Sequence, residues 1–225
     1  MPDYGSFANP GIVSSTRTSK LFSMVQYTIG SASEVKLKDV QDYLPRQLIY
    51  DKLDEAQVAL ATDLLCVEKS ATLTVSSSSA NVPSGFFRAK FIVLPSGQVQ
   101  ELVEVSIDEF DHLDRSLLQI AYQTPLFFKK WNGVLTFFPD VSSASYTFYY
   151  YGIPTTSIAN GTEPETPEYL DRCLIFWAVK ELAPIVNRPD LVPTYEQRYA
   201  SEKSIALRRW QRTKSNTSRI VYHDV

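Results

Sequence analysis

Five side chains able to bind a cation or move a proton crowd into one short stretch: Asp108, Glu109, Asp111, His112 and Asp114 of SIDEFDHLDRS. A carboxylate-rich turn of this kind can hold a divalent ion through oxygen ligands. Calcium loops need a glycine for their sharp turn and fixed ligand spacing, and this stretch has neither. Ser106 with Glu109 three residues on instead fits a capping box opening a short helix, so the turn reads as a solvated acidic surface. His112 and His223 are the only histidines, too few for a histidine metal cluster. The serine run 76–79 has no histidine in a context that suggests a base, and it reads as a flexible hairpin tip. No Gly-rich phosphate loop, GxSxG or HExxH occurs. Cys66 and Cys173, the only cysteines, lie in apolar, helix-like contexts and read as buried thiols. With no disulfide framework and no CxxC, a reducing compartment fits. No catalytic residue, metal or cofactor is assigned. A hydrolase working through carboxylates is a minor alternative, because nothing raises one acid pair above the rest.

The chain has 225 residues, 44% hydrophobic and 21% charged, enough for one sizeable core. Net charge is −3, which gives no strong pull toward nucleic acid or anionic membrane. From Tyr195 onward seven bases face three acids, so that end carries +4 and the remainder −7. Such asymmetry marks an end that meets a different partner. No secretory leader and no bilayer-spanning run is seen, so no membrane partner is expected.

Residues 1–19 are polar and aperiodic and read as an arm. Leu21, Phe22, Val25 and Ile29 form a helical stripe stopped by Gly30. Leu37, Val40 and Leu44 predict a second helix ended by Pro45. Leu53, Ala56, Leu60, Leu64 and Val67 predict a longer one over 49–69. Residues 71–151 then switch to period two, in about five or six antiparallel strands. Asn132-Gly133 between apolar runs predicts a tight hairpin. Tyr146, Phe148 and Tyr150 point to one face of the last strand, and Tyr149 and Tyr151 to the other. A strand apolar on both faces needs cover on both; its own helices supply one cover and a neighbouring subunit the other. Two helices close the chain. The first has Leu170, Cys173, Leu174, Trp177, Ala178, Leu182 and Ile185 on its apolar face; the second, over 194–214, has Tyr195, Tyr199, Ala206 and Trp210 near one face.

The expected fold is therefore α+β: a helical bundle of about four helices, closed by a helical hairpin, with a small antiparallel sheet or barrel inserted and extended termini. The divisions are a flexible arm over 1–20, a helical body over 21–70 and 155–213, an inserted β domain over 71–154 and a docking tail over 214–225.

Three phrases carry a family resemblance: TPLFFKKWNGVLTFFPD, SYTFYYYGIP and TPEYLDRCLIFWAVKELAPIVNRPDLVPTYEQRYASEKSIAL. Their order resembles the head-to-tail adaptor (connector) proteins of tailed bacteriophages, over about residues 21–210. The resemblance implies a homo-oligomeric, dodecameric ring in the virion neck, assembled in the host cytoplasm. DNA passes through its channel without sequence-specific binding. The portal protein sits on one side and a tail or nozzle protein on the other. The basic, aromatic-bearing end is then the portal-docking surface: Tyr195, Tyr199, Arg208, Arg209, Trp210, Arg212, Ile220, Val221 and Tyr222. The aromatic strands supply the lateral contact between copies through Phe127, Phe128, Trp131, Phe138, Tyr149 and Tyr151. Alternatives are another neck or tail-completion ring protein, or a nucleic-acid-binding module using Lys129, Lys130 and the aromatic strands.

Overall fold

A computed structural model of the protein describes residues 16–32, 44–113, 125–139 and 144–217. The chain divides into two compact units, one of Met1–Leu60 with Thr156–Val225, the other of Ala61–Thr155. Five α-helices occur among the described residues: α1 (Thr16–Ala32), α2 (Arg46–Leu64), α3 (Ile107–Asp111), α4 (Asp171–Leu182) and α5 (Val192–Thr217).

In the first unit, α1 buries Leu21, Phe22, Val25 and Ile29, the stripe its spacing predicts. The helix begins at Thr16, inside the stretch read as an arm, because Arg17 and Thr18 have partners there. The Arg17 guanidinium donates to Asp171 at 2.6 Å and to the carbonyls of Pro164 and Thr166 at 3.1 and 2.8 Å. Thr18 donates its hydroxyl to the Thr162 carbonyl at 2.8 Å. α1 packs on α4, and α4 packs on α5. Each fully buried aliphatic or phenyl side chain contributes about 1.5–3 kcal/mol. Leu170, Leu174, Ala178 and Leu182 make a continuous buried seam. Ile185, predicted for the same face, is half-exposed, because α4 stops at Leu182 ahead of Pro184. Asp54 ties α2 to the loop at Ser157–Ile158, accepting from the Ser157 hydroxyl at 2.5 Å and the Ile158 N–H at 2.8 Å. The predicted helix around Leu37 and Val40 lies outside the described residues.

α2 ends at Leu64, short of the predicted 69, and Leu65 turns left-handed at φ 50°. The chain then becomes extended at Glu68. The second unit contains eight strands: β1 (Glu68–Val75), β2 (Ser79–Asn81), β3 (Phe86–Val93), β4 (Val99–Glu101), β5 (Val103–Glu104), β6 (Phe127–Trp131), β7 (Val134–Phe138) and β8 (Ala144–Gly152). They form two four-stranded sheets, ordered β1-β8-β3-β4 and β2-β7-β6-β5. All pairs are antiparallel except β5 with β6, which is parallel. The Asn132-Gly133 turn has φ 47° and 76°, the mirror-image turn that matches strand twist.

The bundle-with-a-small-insert expectation is overturned. The strands build two sheets around a core of their own, including Leu73, Val75, Ile92, Phe128, Leu135, Phe137 and Phe148. Two local features make two sheets out of what reads as one. The serine run is an ordered turn, with Ser77 and Ser78 at φ 48° and 60°, that carries the chain from β1 in one sheet to β2 in the other. Ser78 is buried, and its carbonyl accepts from the Phe137 N–H at 2.8 Å. The VQELVEVS stretch, whose alternation suits one strand, breaks at the buried Leu102, so that β4 and β5 end up in different sheets. The aromatic strand β8 is central in its sheet, and Tyr146, Phe148, Tyr150 and Tyr151 are all buried within the chain. The face of Tyr146, Phe148 and Tyr150 is covered by the core it shares with the second sheet, so that cover is a sheet and not the chain's helices; on the other face Tyr149 is half-buried.

Candidate functional site

Two surfaces were expected to carry function, and the structure sorts their residues. On the closing pair, Tyr195 is buried beneath α5 with its ring 5.9 Å from Phe176, so it packs α5 on α4. Tyr199 is half-buried between Lys180 and Lys203, whose ammonium groups lie 6.0 and 5.7 Å from its ring. Such cation–π contacts suit a partly wet helix surface. Beyond buried Ala206, Leu207, Arg208 and Arg209 are exposed, and the helix backbone continues to Thr217. Trp210 and Arg212 sit on that last stretch of α5 with side chains outside the described residues, as are Ile220, Val221 and Tyr222 altogether. Next to this surface, a cleft of about 510 Å³ opens among α1, α4 and α5, with Lys20, Met24, Tyr169, Arg172, Glu202 and Arg209 in its walls. Arg172 reaches Glu202 across it at 3.4 Å. Its walls carry both signs of charge and exposed apolar atoms, a mixture suited to protein contact.

In the β unit, Phe128, Phe138 and Tyr151 are interior residues. Phe138 packs edge-on against Phe110 at 6.0 Å, and Tyr151 lies under Lys90 at 5.7 Å. Burial removes these three from any lateral surface. Phe127 is half-buried, as is Tyr149, which stacks on Phe91 at 4.6 Å. Trp131 is 67% exposed. Exposed Phe87, Val99, Val103 and Ile107 went unnoticed in the sequence. Val99 and Val103 sit in an alternating stretch that reads like a half-buried strand, and only sheet order shows that it is an edge.

Several of the chemistry-capable residues have structural partners, and Asp114 lies outside the described residues. Ser106 caps α3, accepting from the Glu109 N–H, while Glu109 accepts from the Ser106 N–H at 3.0 Å. That backbone bond, with help from the Ser106 hydroxyl, holds the Glu109 carboxyl below its usual range. Asp111 pairs with Lys129 at 2.8 Å. Burial pushes the Cys173 thiol up to about 11, which keeps it protonated and unreactive. Among the described residues, no group of three or more His, Cys, Asp or Glu side chains is placed to hold a metal ion. No described helix is long and apolar enough to cross a membrane.

The sequence matches the family model for SU10 adaptor protein over residues 29–221. The chain belongs to the SU10 adaptor protein family. This is a family of phage head-to-tail adaptors, so the protein is a structural component of a virion that works against other virion proteins. The match runs through both units and across the closing helices. No match was found among curated proteins.

Proposed function

We propose that the protein forms a ring between portal and tail, with the end of α5 gripping the portal and the β units meeting side by side around the DNA channel. Membership of the adaptor family over residues 29–221 carries this reading. Two features support it. α5 is 26 residues long, about 39 Å at 1.5 Å per residue. Beyond Ala206 its side chains are exposed as far as Arg209, and its sequence there, LRRWQRTK, is strongly basic. A partly basic helix with a tryptophan suits docking on an acidic, grooved protein surface. The lateral contact falls to exposed Trp131 together with half-buried Phe127 and Tyr149; the interior aromatics take no part.

Truncation after Trp210 tests the docking assignment. Portal binding is expected to drop while the fold survives. Undiminished portal binding by the shortened chain refutes it. Light scattering of the full chain, alone and with portal, tests the ring: its mass is expected to step to a multimer on the portal.

A further inference from the structure

The β unit has five exposed large apolar side chains among its described residues: Phe87, Val99, Val103, Ile107 and Trp131. Three of them, Val99, Val103 and Ile107, recur every four residues along one ribbon. That ribbon contains β4, the outer strand of one sheet, and β5, the outer strand of the other. Val99 and Val103 are 62% and 52% exposed. Exposed Glu101, Glu104, Asp108 and Glu109 lie between and after them, with no lysine or arginine in 99–109. Neither Glu101 nor Glu104 pairs with a described base. A strand edge that is open among the described residues and bears apolar side chains is a template for another chain, and its charge calls for a basic and apolar occupant.

The same unit carries that occupant's chemistry elsewhere. The β6–β7 hairpin ends in Lys130, Trp131, Asn132 and Gly133, all exposed. Val103 stands opposite Phe127 in the parallel β5–β6 pair, and Trp131 is four residues farther along β6, about 13 Å away by strand rise. Knob and ribbon are therefore separate patches of one copy. We propose that the Lys130–Trp131 hairpin tip of one copy seats on the Val99–Val103 edge of the next, with Lys130 facing Glu101 and Glu104. Where the same neighbour does not reciprocate it, a contact between two different patches is heterologous, the type that propagates and closes into rings. The six residues 99–104 span only about 20 Å, so the contact falls well below the ~800 Å² per partner of a stable complex. It is weak singly and gains strength when a ring closes.

This inference rests on the ring reading and names its lateral contact. The test is disulfide trapping of the concentrated full chain carrying both Trp131→Cys and Val103→Cys, under mild diamide oxidation. Both sites are exposed, and the native Cys66 and Cys173 are buried. A ladder extending past dimer is expected; either single variant stops at dimer. Adding Lys130→Glu is expected to suppress the ladder at least several-fold, and Glu104→Lys on top of it to restore it. A mixture stopping at dimer, or a ladder indifferent to charge reversal, overturns the contact. If light scattering shows a ring on the portal while no ladder forms, the contact is wrong and the ring reading stands. If no ring forms on the portal, the ring reading itself fails.

Discussion

Phe148→Ala is expected to unfold the β unit, whereas Trp131→Ala is expected to leave it intact. Phe148 is 0% exposed and sits between Phe86 at 5.7 Å and Tyr150 at 5.6 Å, in the core shared by both sheets. Replacing a fully buried phenylalanine by alanine costs about 3–5 kcal/mol, through lost transfer energy and the cavity left behind. The unit is Ala61–Thr155, and for a domain of that size 1 kcal/mol moves the midpoint by about 4–8 °C. The expected drop is then about 12–40 °C, enough to unfold a marginal domain at growth temperature. Phe148→Leu keeps most of the volume and is expected to cost about 1–1.5 kcal/mol. Trp131 is 67% exposed, so its removal is expected to change stability by no more than about 0.5 kcal/mol. Urea titration followed by near-ultraviolet circular dichroism reads all three. A Phe148→Ala loss below about 1 kcal/mol, or a Trp131→Ala loss as large as that of Phe148→Ala, refutes the division between core and surface aromatics.

Three further outcomes are expected. Arg17→Ala removes a pair with Asp171, of side-chain exposures 12% and 23%, and bonds to two carbonyls; a loss of about 1.5–3 kcal/mol is expected in denaturant melts, and Arg17→Lys does not recover it, because lysine lacks the fork. The Cys173 thiol, raised to about 11, is expected to resist Ellman's reagent at pH 8 in the folded protein and to react once urea is added. Glu109 has a folded pKa below its ordinary 4.5, so its capping stabilisation is present above 4.5 and is lost as pH falls through the lower, folded value; the Ser106 amide shift, which reports the N–H that Glu109 accepts from, is expected to move in that acid window by NMR, and Glu109→Gln is expected to diminish that movement strongly.

Local rules made several parts of this protein legible from its residues. The Leu21, Phe22, Val25 and Ile29 stripe, the Ser106–Glu109 cap and the Asn132-Gly133 turn all appear as their spacing predicts. Each depends on neighbours within a few positions, so the chain itself carries the whole signal. The order of the phrases around Thr124 and Pro167 pointed to the adaptor family that the match establishes.

Whether an aromatic side chain faced a neighbouring copy or its own core was decided only in three dimensions. Period-two patterning tells which side chains share a face, but not what covers that face. β8 became a central strand because it pairs with β1 on one side and β3 on the other, and the second sheet then enclosed Phe128, Phe137 and Phe148. The change of sheet at Leu102 left Val99 and Val103 on outer strands, where residues with strand-like spacing face solvent. Arg17 likewise found Asp171 across 154 positions, a separation over which sequence spacing carries no information and chain packing carries all of it.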